Sequence, residues 1–235
     1  MKGRARTPHR RLRIGVTGFG PFPGMPFNAS ARLIAELEDM PWRVVPGPVL
    51  VGRLLPTDWR RALEDLRAFT EATRPDVLVH FGVSSRARGF VVETRAFNET
   101  APRPDCVGAL AGGRCVRRNA HPVLPARLPA ARLVQRLRME GIAATLSADA
   151  GRYLCNAVLF ESLAMAQAGE HGAIAGFIHI PALLAPGAEP SQGAFGWPQL
   201  RRGAALILDT LARSRAREGL VWAACGSVGR KAGPG

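Results

Sequence analysis

The sequence predicts an α/β fold, with a largely parallel sheet covered by helices on both faces. Three observations point there. Short apolar runs of strand type alternate along the chain with segments whose apolar residues recur at helical spacing. Gly- and Pro-bearing breaks separate the two kinds. The 235 residues suffice for one sizeable domain, and no internal repeat argues for more.

Leu12–Val16 reads as a short buried strand, followed by the turn Gly18-Phe-Gly-Pro-Phe-Pro-Gly24. Ser30–Leu37 places Leu33, Ile34 and Leu37 on one helical face. Arg43–Val51 reads as a second strand. Thr57 or Asp58 caps a helix with apolar positions Trp59, Leu63, Leu66 and Phe69. Asp76–Phe81 is a third strand, ending at Gly82. From Ser84 to about Leu128 periodicity is lost, so this stretch is a long irregular insert or a set of short strands. Pro129 suits the first turn of a helix carrying Leu133, Val134 and Leu137. Ala143–Leu146 is a strand, Cys155–Gln167 a helix, Ala173–Ile180 a strand and Pro198–Ala212 a closing helix. In such a sheet ligands gather at strand C-terminal ends, which directs attention to the loops after Val16, Phe81, Leu146 and Ile178.

Apolar residues at 47% and charged residues at 21% are ordinary for a soluble globular chain. The net charge of +14 invites a nucleic-acid partner, but its distribution argues against one. Lys2, Arg4, Arg6, Arg10, Arg11 and Arg13 crowd the N-terminus without an acid, and residues 1–11 are expected to form a disordered basic tail. No zinc-finger spacing or RNA-binding aromatic motif accompanies the charge. Cys106, Cys115, Cys155 and Cys225 form no CxxC pair, so reduced thiols in a cytoplasm are expected, with no metal. The N-terminus lacks the apolar core of a secretory signal. The most apolar stretch, Ala173–Ala185, is broken by His179 and Pro181 and is too short to cross a bilayer.

The loops carry the chemistry. Gly18-Phe-Gly20 resembles the opening of a dinucleotide-binding turn, but Pro21 and Pro23 lack the amide hydrogens a phosphate would use. Phe19 and Phe22 instead suit something small, flat and uncharged, or else the core. Cys155 begins a helix after the break at Gly151, where the helix dipole favours thiolate; a buried inert cysteine is the plainer reading of that residue alone. His179, at the end of an apolar strand, is either a satisfied core histidine or a general base for Cys155. An orienting carboxylate would complete the set. Glu93, a lone acid in the apolar run Phe90-Val-Val-Glu93, is the candidate, with Asp149 and Asp105 as alternatives.

These residues together resemble the pyroglutamyl peptidase I family of cysteine peptidases. Val16-Thr-Gly-Phe-Gly-Pro-Phe22 with Asn28-Ala-Ser30, His80-Phe-Gly-Val-Ser84, Glu93 with Asn98, and Pro104-Asp-Cys-Val-Gly108 are similar to family segments. So are Asp149-Ala-Gly-Arg-Tyr-Leu-Cys-Asn156 and Phe177-Ile-His-Ile-Pro181, in family order from about Arg13 to Leu211. The resemblance implies a single three-layer αβα domain around a twisted, mostly parallel mixed sheet. It puts the catalytic unit at 12–215, with 216–235 as a C-terminal extension. It also implies Cys155 as nucleophile, His179 as base, Glu93 as orienting acid, and Phe19 and Phe22 as the pair holding a pyroglutamyl ring. Substrates would be peptides with N-terminal pyroglutamate, with no cofactor, no membrane and a homo-oligomer in some relatives. The basic loop Ser85-Arg86-Ala-Arg88 and residues 109–125 depart from the family pattern. A thiol hydrolase of another cyclic amide or N-acyl compound, and a non-catalytic basic binding protein, are the rival expectations.

Overall fold

Six strands form one mixed sheet in the order β2-β1-β3-β8-β4-β7. These are β1 (Arg13–Phe19), β2 (Val49–Leu55), β3 (Val77–Ser84), β4 (Phe90–Glu93), β7 (Ala144–Ser147) and β8 (Ile174–Pro181). A separate antiparallel pair joins β5 (Arg95–Phe97) to β6 (Val123–Pro125). The helices are α1 (Ala29–Ala35), α2 (Trp59–Thr73), α3 (Ala130–Met139), α4 (Leu154–Gln167) and α5 (Trp197–Gly226). This computed structural model describes residues 11–22, 25–37, 47–170, 172–182 and 195–226. The basic tail before Arg11, Gly24 of the first loop and the chain beyond Gly226 lie outside the described residues.

Three layers follow from side-chain alternation. Successive strand residues point to opposite faces, and the two faces build two cores. Val77, Val79, Phe81, Ile178 and Ile180 pack with Leu33 of α1, Leu133 of α3 and Leu200 of α5. Leu78, Ala175 and Phe177 pack with Leu66 and Phe69 of α2 and Phe160 of α4. Burial on both faces explains why β3 and β8 read as near-continuous apolar runs, interrupted by His80 and His179, rather than alternating ones.

The sheet is parallel across β2, β1, β3 and β8, but β4 lies antiparallel to β8, and β7 runs with β4. The loop after Leu146 therefore leaves a strand that runs against the main set. It still reaches the site, because β7 ends with Ser147 opposite Glu93.

Local chemistry sets most boundaries. Asp58 caps α2, its Oδ1 accepting from the amides of Arg60 and Arg61 at 2.9 and 2.7 Å. Asn28 caps α1. Pro129 stands at the N-cap of α3, one position before the first turn. The second strand starts later than the expected Arg43, at Val49. Pro48 lacks a ladder donor, and the expected residues 43–46 lie outside the described set. β3 continues through Gly82 to Ser84, because Gly82 pairs with His179 inside the sheet. The irregular insert resolves into β4, β5 and β6 with turns between them. The closing helix passes the expected end at Ala212 and runs to Gly226.

Candidate active site

Strand parity decides which side chains can meet. Ala175 and Phe177 of β8 enter the core under α2 and α4, and His179 points the same way. On β4, Phe90 and Val92 enter the opposite core, so Glu93 also faces α4. Val91 lies opposite His179, which leaves Glu93 one diagonal step from the imidazole. Long side chains bridge such a diagonal, and Glu93 Oε1 lies 2.9 Å from His179 Nδ1.

Both groups are deeply buried, Glu93 at 1% and His179 at 8% exposure. Glu93 Oε2 is buried without a hydrogen-bond partner. A buried carboxylate with one unsatisfied oxygen is costly unless a positive charge lies beside it, and His179 is in place to carry that charge. Burial alone would lower the His179 pKa. Hydrogen bonds to Cys155 and to Glu93, with the charges of both, override it and push the value up to about 10. Since Nδ1 is committed to Glu93, Nε2 is left for the sulfur.

Gly82 makes room for that sulfur. A Cβ on Gly82 would stand 2.6 Å from the Phe177 ring and 3.3 Å from Cys155 Sγ. Gly82→Ala is therefore expected to displace the thiol or the ring and lower turnover by about 10- to 100-fold, since small misplacements of reacting groups are costly. Steady-state kinetics beside a circular-dichroism melt checks this; wild-type turnover would show that the close approach is dispensable.

The helix bearing Cys155 starts abruptly. Gly151 has φ 81°, a left-handed conformation that suits glycine, and the Gly151 amide donates to Asp149 Oδ1 at 3.0 Å. Tyr153 is the N-cap, and its side chain makes no capping bond to the first turn. First-turn amides have no carbonyl partners within a helix, so the amides around Cys155 are available to an oxygen in the cleft.

Asn156 is not among the residues expected from the sequence. It is fully buried beside the thiol. Its Oδ1 accepts from the Phe97 amide at 2.8 Å, and its Nδ2 donates to the carbonyls of Phe97 at 2.8 Å and Glu99 at 3.1 Å. These bonds fasten the first turn of α4 to β5. The available signal was an amide side chain inside an otherwise apolar helix start.

The aromatic loop is clipped in a similar way. The Phe19 amide donates to Ser30 Oγ at 3.0 Å, and Asn28 Nδ2 donates to the Gly20 carbonyl at 3.0 Å. Thr57 Oγ1 donates to the Pro21 carbonyl at 3.0 Å. Phe19 is nearly buried and lies 6.1 Å from the Phe177 ring, so it serves core and cleft together. Phe22 pairs through its backbone with Met25. Both phenylalanines line a cleft of about 900 Å³ that also takes in Glu93, Cys155 and His179.

The alternative acids are occupied elsewhere. Asp105 accepts from the amides of Trp59, Val107 and Ala109 at 2.9 to 3.0 Å. Burial would raise its pKa, but these amides outweigh that and hold it below the usual value. Asp149 pairs with Arg152 at 2.6 Å. His80, the other buried imidazole, has both ring nitrogens taken, by Thr17 at 2.7 Å and Ser162 at 2.9 Å. Among the described residues no group of three His, Cys, Asp or Glu could hold a metal ion.

The sequence profile of the pyroglutamyl peptidase family matches residues 12–199. The chain is 32% identical over 170 residues to the pyrrolidone-carboxylate peptidase of Thermococcus litoralis, covering 72% of this chain and 76% of the relative. It is 34% identical over 169 residues to that of Chromobacterium violaceum, covering 72% and 77%. The solved pyrrolidone carboxyl peptidase from Thermococcus litoralis superposes with a TM-score of 0.77 at 25% identity, covering 88% of this chain and 96% of that one.

Proposed function

The chain belongs to the pyroglutamyl peptidase family, and we propose that it is a cysteine peptidase that hydrolyses the amide bond after an N-terminal pyroglutamyl residue. Cys155 is the nucleophile, His179 the base and acid, and Glu93 the residue that orients and charges the imidazole. The observation that carries this reading is the shared ring: His179 bonds Glu93 through Nδ1 and the Cys155 thiol through its other side, at one end of a cleft walled by Phe19 and Phe22.

The chemistry follows from that arrangement. The Cys155 proton resides on His179, and the sulfur attacks the pyroglutamyl carbonyl. Negative charge gathers on the carbonyl oxygen, where the open amides at the start of α4 can receive it. The imidazolium then protonates the departing amine, the C–N bond breaks, and a thioester remains. His179 next takes a proton from water. The resulting hydroxide attacks the thioester, releasing free pyroglutamate and restoring the thiolate beside the imidazolium. Glu93 holds the ring in one orientation and stabilises its cation throughout.

The lactam is neutral, so its recognition falls to the faces of Phe19 and Phe22 and to backbone hydrogen bonds at its N–H and C=O. A proline ring lacks that carbonyl and leaves the site's polar groups unpaired. The catalytic unit spans 12–215, and all of these residues come from one chain. Among the described residues Cys106, Cys115 and Cys155 are unpaired, which supports a reducing, cytoplasmic setting. No helix among them is long and apolar enough to cross a membrane.

A pyroglutamyl fluorogenic amide tests the proposal against its prolyl counterpart. The first should be cleaved and the second left intact. Equal cleavage of both, or of neither, would overturn it.

A further inference from the structure

The cleft carries more positive charge than its proposed reaction uses. Arg86, Arg103 and Arg152 line it, against the acids Glu93 and Asp149. Both acids are spoken for, Glu93 by His179 and Asp149 by Arg152. Arg152 is further neutralised by Glu99 at 2.6 Å. Arg86 and Arg103 have no carboxylate partner among the described residues. Arg103 lies with its guanidinium 4.9 Å from the Tyr153 ring, and Tyr153 is the N-cap of the helix that begins at the thiol. Arg86 stands four residues beyond Gly82, on a loop braced by its own amide to Ser84 Oγ and by Arg88 Nη1 to the Ser85 carbonyl at 3.1 Å.

A pyroglutamyl ring bears no charge, so it cannot be what these two cations meet. In the intact substrate, negative charge can enter the cleft only on the part of the peptide that departs. We propose that Arg86 and Arg103 select pyroglutamyl peptides carrying a carboxylate close to the scissile bond. This selectivity rests on the hydrolase reading above and names its substrate class. The carboxylate has two possible sources: an Asp or Glu side chain directly after the pyroglutamyl residue, or the free C-terminus of a pyroglutamyl dipeptide.

Four substrates separate these cases by kcat/KM: pyroglutamyl-alaninamide as the neutral reference, pyroglutamyl-glutamine's acidic analogue pyroglutamyl-glutamic α-amide, pyroglutamyl-alanine with a free C-terminus, and pyroglutamyl-lysinamide. At low ionic strength the favoured acidic substrate should exceed the neutral one by about fivefold, with the lysine peptide below it. The margin should shrink as salt is added, because exposed charges are screened. Preference for the side-chain acid alone identifies that source, and preference for the free acid alone identifies the other. In Arg86→Gln with Arg103→Gln the acidic-to-neutral ratio should fall to about one, and in Arg86→Glu the order should tilt toward lysine. Equal rates for all four substrates overturn the inference while leaving the hydrolase reading intact, and so does an acidic preference that survives the double substitution. Failure to cleave the neutral reference together with the acidic peptides removes both.

Discussion

Cys155→Ala is expected to abolish cleavage of a pyroglutamyl amide, lowering turnover by about 10⁴-fold or more, because among the described residues Cys155 is the one thiol that lines the cleft. Cys106 and Cys115 are exposed and do not line the cleft, so neither can substitute. Fold and binding should survive. Cys155 is only half-buried, and losing its sulfur leaves Gly82 and the Phe177 ring in place. A thermal melt within a few degrees of wild type, together with retained binding of free pyroglutamate, distinguishes lost chemistry from lost structure. Iodoacetamide labelling should find one thiol reacting much faster than the others, at residue 155. Substantial turnover in the alanine variant would end the assignment.

Glu93→Gln is expected to cost about 10³-fold in kcat with little change in KM, since the carboxylate touches the ring rather than the substrate. The pH profile gives the more specific readout. Burial opposes the His179 charge, while Cys155 and Glu93 together raise its pKa from 6.5 to about 10. The folded protein therefore holds a proton that the unfolded chain releases near 6.5. The resulting stabilisation is complete below about pH 6.5 and is lost as pH rises through about 10. Activity that needs the imidazolium to protonate the leaving amine should fall on the same alkaline limb. With glutamine at position 93 one of the raising influences disappears, so that limb should move to lower pH. An unmoved limb would show that Glu93 does not govern the ring.

Much of this was legible along the chain. The alternation of apolar runs and helical spacings marks the sheet and its covering helices, because burial on two faces leaves that signature in any order of strands. Glu93 stands out as a lone acid among Phe90, Val91 and Val92, and His179 as a lone imidazole between Ile178 and Ile180. Less legible were the Val49 start of β2, which follows Pro48, and the split of the 84–128 stretch into short strands. Strands of three or four residues carry too few side chains to establish a period. Asn156, quoted within the Cys155 segment, was given no role because its bonds go to Phe97 and Glu99, some 57 to 59 positions away.

The chain's own order of residues determined the layer architecture, the helix caps and the inventory of reactive groups, since these depend on local spacing and on side-chain chemistry. Only the tertiary structure decided which acid lies against the imidazole. The residues alone make Glu93 the candidate and leave Asp105 and Asp149 open. The antiparallel pairing of β4 with β8 turns Glu93 toward His179, while backbone amides claim Asp105 and Arg152 claims Asp149. Strand direction and register are long-range properties, fixed by how whole faces pack, and no short window of sequence contains them.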